Sequence, residues 1–271
     1  MNYNTFSPSI ELQAIVKCYW TLESPAEPTP QKQRIVPDGC MEMIFHFGDL
    51  YKQYLEDGSS IIQPRSFIFG QITSYLDIEA TGATDIFAVR FHPEGFIPYA
   101  TIAIKEMENK AVSLEKIFGN NGLLLEEEMT KANNSPERIT IVEKFLTGRL
   151  AEAASIDRIV STTVETILNI NGQLSVDQLS QQLNIHRRQL ERKFYSAIGL
   201  SPKKLSKIIR LQATLKMMMN NELTSLTSIA HEGEYYDQAH FIKDFKEFTG
   251  MSPKNFYADN LKMSSLFYGT E

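Results

Sequence analysis

A chain of 271 residues is long enough for two modest domains, and its 42% hydrophobic and 22% charged residues are typical of a globular protein. The first residues lack a basic segment followed by an apolar run. No window approaches the roughly 18 uninterrupted apolar residues of a membrane helix, so we expect neither a signal peptide nor a membrane partner. The two cysteines, Cys18 and Cys40, are too few for a disulfide framework or a metal cluster. This favours a cytoplasmic protein without a metal or other cofactor.

The net charge of −6 is unevenly distributed along the chain. Residues 1–154 contain 13 Lys and Arg against 21 Asp and Glu, whereas residues 155–260 contain 13 against 11. Between His186 and Lys216 there are nine Lys and Arg residues and a single acid, Glu191. Because binding to a phosphate backbone depends on local charge, this basic segment indicates a nucleic-acid partner despite the acidic total.

Between Ile15 and Phe96 the sequence consists of short segments rich in aromatic and β-branched residues. Turn signals separate them at Pro37-Asp38-Gly39, Asp57-Gly58 and Thr81-Gly82. The predicted strands are Val16–Leu22, Met41–Phe47, Ser66–Ile72, Leu76–Ala80 and Ile86–Phe91. Their number and spacing predict a β-barrel or sandwich.

After Phe96 the apolar periodicity becomes helical. Helices are predicted at Leu123–Lys131 and Ile139–Ala151, and we place the domain boundary near Ala153. The predicted class is therefore α+β, with a β-rich domain over residues 1–153 and an all-α domain over residues 154–271.

The all-α domain is predicted to contain two similar helical units. An amphipathic helix begins near Ile156 and ends at Asn171-Gly172. The first unit then has a short helix from a Ser175–Gln178 capping box to Leu183 and a second helix from about His186 to Ile198. A long helix opens at Ser201-Pro202 and runs to about Met219. The second unit repeats this order, with helices from about Leu226 and over Gln238–Phe248.

The two units keep a constant offset over their structural positions. Phe194 and Phe245 are 51 residues apart, as are Gly199 and Gly250, whereas Leu179 and Ile229 are 50 apart. One residue is therefore inserted in the turn of the second unit. A short helix, a tight turn and a second helix form the helix-turn-helix arrangement, whose second helix enters the major groove of DNA.

The second helix of the first unit has an apolar side and a charged side. At 100° per residue Leu190 and Phe194 face inward, while Arg188, Glu191 and Arg192 face outward, where Arg bonds guanine and Glu accepts from cytosine. The second unit presents a less charged outward face. We predict phosphate contacts from seven basic residues of the two second helices and of the long helix between the units, namely Arg187, Lys193, Lys203, Lys204, Lys207, His240 and Lys246.

Residues 155–260 resemble the AraC-type bacterial transcription regulators. The resemblance rests on Arg188-x-Leu190-x-Arg192-x-Phe194, Gly199-Leu-Ser-Pro202, Tyr235-Tyr-Asp237-Gln-Ala-His240-Phe241 and Gly250-Met-Ser-Pro253. It implies a seven-helix module with two helix-turn-helix units that read adjacent segments of double-stranded DNA. The base-reading positions that it implies are Arg188, Glu191, Arg192, Gln238, Ala239 and Lys243. RNA polymerase is a further partner of such a regulator.

The second unit departs from the family pattern at one position. Glu234 stands where the family usually has Gly, and Gly233 comes one position early. If this turn residue has a positive φ, Glu carries a steric penalty on the order of 1 kcal/mol.

The amino-terminal half resembles the cupin-like domain that is often fused to such modules, through Arg34–Gly48, Phe69-Gly70-Gln71 and Val89–Gly95. The resemblance implies sensing or dimerisation. Glu42 and Arg90 lie on adjoining predicted strands and are candidates to bind a small-molecule effector if both point into the barrel, with a structural ion pair as the alternative. His46 and His92 are too few for a catalytic metal site.

Three alternatives to an effector-sensing regulator can be weighed from the sequence. A DNA-repair methyl acceptor would need a cysteine cluster, which two separated cysteines do not supply. A cupin-type metal-dependent enzyme and a ligand-free dimerisation scaffold, each fused to the DNA-binding module, stay open. The sequence leaves undecided whether the protein is a monomer or a homodimer, and whether it activates or represses. We therefore expect a non-enzymatic regulator.

Overall fold

A computed structural model describes residues 1–150, 156–219 and 225–258 of the chain. For residues 257 and 258 it describes only the backbone. The domain boundary predicted near Ala153 lies outside the described residues. The predicted class is confirmed, since a β-rich amino-terminal half of antiparallel strands is followed by a helical carboxyl-terminal half.

The amino-terminal half contains two antiparallel sheets. In chain order the strands are β1 (Asn2–Phe6), β2 (Val16–Ser24), β3 (Gln33–Ile35), β4 (Glu42–His46), β5 (Tyr51–Tyr54), β6 (Ser60–Ile62), β7 (Ser66–Phe69), β8 (Leu76–Ala80), β9 (Thr84–Phe91) and β10 (Ala111–Ser113). The larger sheet has the order β1-β2-β9-β4-β7-β10, and the smaller has the order β3-β8-β5-β6. Single-turn 3₁₀ helices at Ile97–Tyr99 and Ile104–Met107 precede β10.

The larger sheet is buried on both faces, and alternate residues therefore enter different cores. On β2, Tyr19 packs against the following helices whereas Trp20 faces the smaller sheet. On β9, Phe87 packs on the side of the helices and Ala88 faces the smaller sheet. The helices on the first face are α1 (Leu114–Phe118), α2 (Asn120–Lys131) and α3 (Ser135–Leu150).

The carboxyl-terminal half contains seven helices within the described residues. They are α4 (Arg158–Asn169), α5 (Val176–Gln182), α6 (Arg187–Ile198), α7 (Pro202–Met219), α8 (Leu226–Glu232), α9 (Gln238–Thr249) and α10 (Pro253–Ala258). Each predicted helix of this half is present. The Ser175 side chain and Gln178 form the predicted capping box at the start of α5, and Gly199 and Gly250 end α6 and α9 with φ of 79° and 73°.

The two halves pack against each other through the β3–β4 segment. The side chain of Val36 belongs to the apolar core of the helical half, and a Cβ on Gly39 would lie 2.7 Å from the Leu205 side chain of α7. The Gln212 side-chain amide donates a hydrogen bond to the carbonyl of Pro37. The long helix between the two helical units is thus held against the β-rich half. In the described part of the chain, no helix is both long enough and apolar enough to cross a membrane.

Candidate nucleic-acid interface

The two helix-turn-helix units have the same backbone geometry in their turns. In the first, the amide of Ile185 donates to the carbonyl of Ser180 at 3.0 Å; in the second, the amide of Tyr235 donates to Ala230 at 2.9 Å. Between these bonds, Asn184 and Glu234 have φ of 48° and 50°. The turn residue of the second unit therefore does have a positive φ, and Glu234 occupies it without changing the turn.

The inserted residue of the second unit is Tyr236. The 50-residue offset holds through Ile185 and Tyr235, while the helix caps His186 and Asp237 are 51 residues apart. Tyr236 is 93% exposed, directly before the second unit's outward helix. The change of offset in the sequence marks the position of this tyrosine, but no sequence pattern indicated a functional role for it.

The outward face of α6 is available to a partner. Leu190 and Phe194 are fully buried, while Arg188 and Arg192 are exposed on the opposite side. Neither arginine makes an ion pair with another described residue. Two exposed guanidinium groups without an internal partner can donate forked hydrogen bonds to guanine or to phosphate.

The third predicted base-reading residue of α6 is held by a neighbour. Glu191 is half-buried and accepts a bond from Nε of Arg187 at 3.1 Å, and Arg187 also donates to Asp177 at 3.0 Å. The bonds to Glu191 and Asp177 raise the pKa of Arg187. Arg187 thus links α5 to α6, and a phosphate contact from its side chain would compete with these carboxylates.

The corresponding face of α9 is exposed but less charged. Gln238, Ala239 and Lys243 all lie at the surface. The Gln238 side chain accepts a hydrogen bond from the Thr227 hydroxyl at 3.1 Å, which joins α8 to α9. His240 lies 3.5 Å from the buried carboxylate of Asp244 and forms an ion pair with it only when protonated.

Two of the predicted phosphate-binding lysines connect α7 to α9. Lys207 donates to the buried Asp244 at 2.9 Å and to Glu247 at 3.1 Å, and Lys204 donates to Glu247 at 2.8 Å. Burial opposes the charged form of Lys207, but these two bonds outweigh it and raise its pKa. Both lysines therefore brace the second unit against the connecting helix.

The other predicted phosphate contacts differ in their freedom. Lys193 donates to Asp157 at 2.6 Å, the carboxylate that caps α4, and this bond lowers the pKa of Asp157. Lys203 and Lys246 are exposed and make no ion pair with a described residue. Among the predicted phosphate-binding lysines, these two therefore have no carboxylate partner in the described part of the chain.

The carboxyl ends of both outward helices touch the β-rich half. Gly199, at the end of α6, lies against Ile104, and Gly250, at the end of α9, lies against Tyr75. Arg34 on β3 donates to the carbonyl of Thr249 at 3.0 Å, where a cation complements the negative end of the helix dipole. Residues 34 and 249 are far apart in the chain, and no sequence signal indicated this contact.

The candidate effector residues, Glu42 and Arg90, point into a cavity between the two sheets. They lie opposite each other on β4 and β9, and Nε of Arg90 donates to Oε1 of Glu42 at 2.8 Å. The space between the walls, including its mouth, is about 860 Å³. An ion pair and a binding site were alternative predictions for these two residues, and the structure contains an ion pair with a cavity around it.

Two family models match separate parts of the chain. Residues 179–259 match a helix-turn-helix domain, and residues 4–113 match a domain of unknown function, DUF6597. The carboxyl-terminal half is thus a helix-turn-helix domain that follows a DUF6597 domain. The match over residues 179–259 supports the resemblance to AraC-type regulators that the motifs around Arg188 and Tyr235 indicated.

Similar proteins match only parts of the chain. The Msm operon regulatory protein of Streptococcus mutans is 26% identical over 118 residues, which are 43% of this chain and 42% of that protein. An uncharacterized HTH-type transcriptional regulator of Haemophilus influenzae is 31% identical over 81 residues, 30% of this chain and 27% of that protein. The chain therefore spans less than half the length of these curated relatives.

Among solved structures, ToxT from Vibrio cholerae aligns with 85% of this chain and 97% of its own, at 14% identity and a TM-score of 0.45. The carboxyl-terminal domain of AraT, a response regulator from Geobacillus stearothermophilus, aligns with 40% of this chain and 89% of its own. For AraT the identity is 24% and the TM-score 0.37.

Proposed function

We propose that the protein is a sequence-specific DNA-binding transcription regulator. The observation that carries this proposal is the tandem helix-turn-helix module, in which α6 presents Arg188 and Arg192 outward, with no ion pair to any residue that the structure describes. The names of the two curated relatives, both regulatory proteins, agree with it. The protein would act in the cytoplasm, with double-stranded DNA as its main partner and RNA polymerase as a further one.

In this proposal α6 and α9 enter adjacent major-groove segments of one duplex. The first unit provides most of the base recognition through Arg188 and Arg192, with Glu191 as a weaker reader because Arg187 already binds its carboxylate. The second unit provides mainly position and affinity through Gln238, Ala239 and Lys243, whose side chains carry less hydrogen-bonding capacity for bases.

The phosphate contacts fall into two groups. Lys203 and Lys246 would bind the backbone directly. The other candidates have a second role, because their contacts with carboxylates hold the helices at the angle that the groove requires. These candidates are Arg187, Lys193, Lys204, Lys207 and His240. We assign the DNA-binding domain to residues 154–271 and the sensing or dimerising domain to residues 1–153.

The test is binding of the purified chain to the DNA upstream of its own gene, in a duplex of about two helical turns, against a random duplex of equal length. We expect a preference for the upstream duplex. The logarithm of the affinity should fall linearly with the logarithm of the salt concentration, with a slope near −0.9 for each phosphate neutralised. Equal affinity for both duplexes at every salt concentration, with and without ligands of the amino-terminal cavity, would refute the proposal.

A further inference from the structure

The amino-terminal cavity has a role that the proposed DNA contacts do not explain. It forms because residues of four strands of the larger sheet face the smaller sheet, and most of these side chains are apolar or aromatic. Its apolar wall includes Trp20, Ile44, Phe69, Leu76, Ile78 and Ile86. A concave site with an apolar wall and a few convergent polar groups is the usual form of a small-molecule site.

The charged groups in the cavity wall are out of balance. They are the carboxylates of Asp38 and Glu42 and the single guanidinium of Arg90. Arg90 binds both carboxylates, at 2.8 Å to Glu42 and 3.5 Å to Asp38. Lys17 and Lys216 line the neighbouring cleft, which shares Asp38 and Arg90 with this cavity. Among the described residues of this wall one cation is shared by two carboxylates, and in their ionised form this arrangement favours a cationic ligand over an anionic one.

A second observation indicates that a polar ligand enters this cavity. His46 lines the wall and is only 2% exposed, and within the described part of the chain neither of its ring nitrogens has a partner at hydrogen-bond geometry. The Gln63 side chain lies beside it, and its contact with His46 only partly offsets the lowering of the His46 pKa by burial. A buried polar group without a partner carries a desolvation cost, which a ligand with a donor or acceptor would remove.

We propose that this cavity binds a small organic amine: an apolar or aromatic body packs against Trp20 and its neighbours, and a protonated nitrogen donates to Glu42 and Asp38. The indole of Trp20 also donates to Oε1 of Glu42 at 3.0 Å, so the aromatic ring and the carboxylate lie together at the polar end of the cavity. A cation beside an indole face gains further attraction from the ring quadrupole. Binding by itself does not depend on DNA recognition, whereas a regulatory purpose for it rests on the proposed function.

The site is placed to influence the helix between the two DNA-binding units. Asp38, Cys40 and Arg90 line both this cavity and the cleft that faces α7, and Gly39 between them contacts Leu205. A ligand that moved the Asp38 carboxylate would therefore act on the segment that packs on α7.

Trp20 makes ligand binding directly measurable, because it is the only tryptophan of the chain and lines the cavity. The probes are phenethylamine, phenethyl alcohol and hydrocinnamate, which share a phenyl body and carry a cationic, neutral and anionic end. Each is titrated into the full-length protein, and saturable change of Trp20 fluorescence is confirmed by calorimetry. We expect the amine to bind roughly tenfold or more tightly than the alcohol, and the carboxylate to bind most weakly.

Glu42→Gln removes the charge and keeps an oxygen that accepts from Trp20 and Arg90. It should weaken amine binding at least about tenfold and leave the alcohol unchanged. Glu79→Gln is the matched control, because Glu79 pairs with Lys52 and does not line the cavity. Ile44→Phe fills part of the cavity and should weaken all three probes, which keeps the test valid if Glu42→Gln unfolds.

The proposal is overturned if hydrocinnamate or the alcohol binds as tightly as the amine. It is also overturned if no probe changes the Trp20 signal up to its solubility limit, or if Glu42→Gln folds and binds the amine unchanged. Amine binding by a protein that shows no DNA preference would support the ligand site and refute the proposed function. Specific DNA binding without amine binding would do the reverse.

Discussion

Replacing Glu234 by Gly should stabilise the protein, because Glu234 has a φ of 50° in the turn between α8 and α9. A non-glycine residue in the left-handed region costs about 1–2 kcal/mol. The added flexibility of Gly in the unfolded chain returns about 0.5–1 kcal/mol of this. The Glu234 side chain is exposed and makes no hydrogen bond or ion pair with a described residue, so little else is lost. The expected net gain is about 0.5–1 kcal/mol.

The assay is urea unfolding of the full-length chain, monitored by circular dichroism. It is carried out at high salt to suppress charge effects. Asn184→Gly is the matched control in the first unit, with a φ of 48°; because Asn tolerates this conformation, its gain should be smaller or absent. Glu234→Gln removes the charge and keeps the Cβ atom, so it should give no gain. The prediction is wrong if Glu234→Gly and Glu234→Gln have the same free energy of unfolding, or if Glu234→Gly destabilises the protein more than Asn184→Gly does. Either result would mean that the turn does not strain the glutamate.

Three further predictions concern the DNA face, the cavity and the domain contact. Arg188→Ala should cost about 1–3 kcal/mol of binding free energy for the preferred duplex and relax the base preference, whereas Lys203→Ala should weaken binding to preferred and random duplexes alike. Both variants are titrated with both duplexes at one salt concentration. If each variant weakens binding to the two duplexes equally, this assignment is contradicted. Burial lowers the pKa of His46 from its ordinary 6.5 to about 4, so the unfolded chain gains a proton as the pH falls through 6.5 while the folded chain stays neutral, and stability is lost between pH 6.5 and 4. His46→Phe should therefore lose about 2 kcal/mol less than the wild type between pH 8 and pH 5 in urea unfolding, and an unchanged pH dependence would show that His46 is not buried in the neutral form. Arg34→Ala removes two hydrogen bonds of 2.7 Å to Asp77 and one of 3.0 Å to the end of α9, and should cost about 1–3 kcal/mol of the free energy of unfolding. The losses of Arg34→Ala and Asp77→Ala should not add up in the double variant. If the two losses are strictly additive, the pair does not act together.

Much of the fold follows from local sequence signals. The strands β2, β4, β7 and β9, which contain buried apolar residues, were predicted close to their observed positions, as was β8, which is half-buried and lies between turn signals. The strands that were not predicted, β1, β3, β5, β6 and β10, are short or exposed: β6 has no buried residue, and β1 begins Asn-Tyr-Asn-Thr. Such strands are held by pairing with their neighbours, which no local pattern reveals.

The candidate site was less fully predictable than the fold. Helical periodicity correctly identified the exposed face of α6, because Leu190 and Phe194 fix which side is buried. Charge alone did not distinguish Lys203, which is free of ion pairs among the described residues, from Lys207, which binds Asp244. That difference depends on the packing of α7 against α9, a contact between distant parts of the chain.

In the proposed function the two helix-turn-helix units read adjacent segments of one duplex, and the first unit carries most of the specificity. Selection of bound duplexes from a random pool, run in parallel on the wild type and on Arg188→Ala, measures this. We expect the wild type to select two segments about one helical turn apart, the more sharply defined of which becomes relaxed in Arg188→Ala while the other is unchanged. An unselective pool for the wild type, or the same two segments with equal definition in Arg188→Ala, would contradict it.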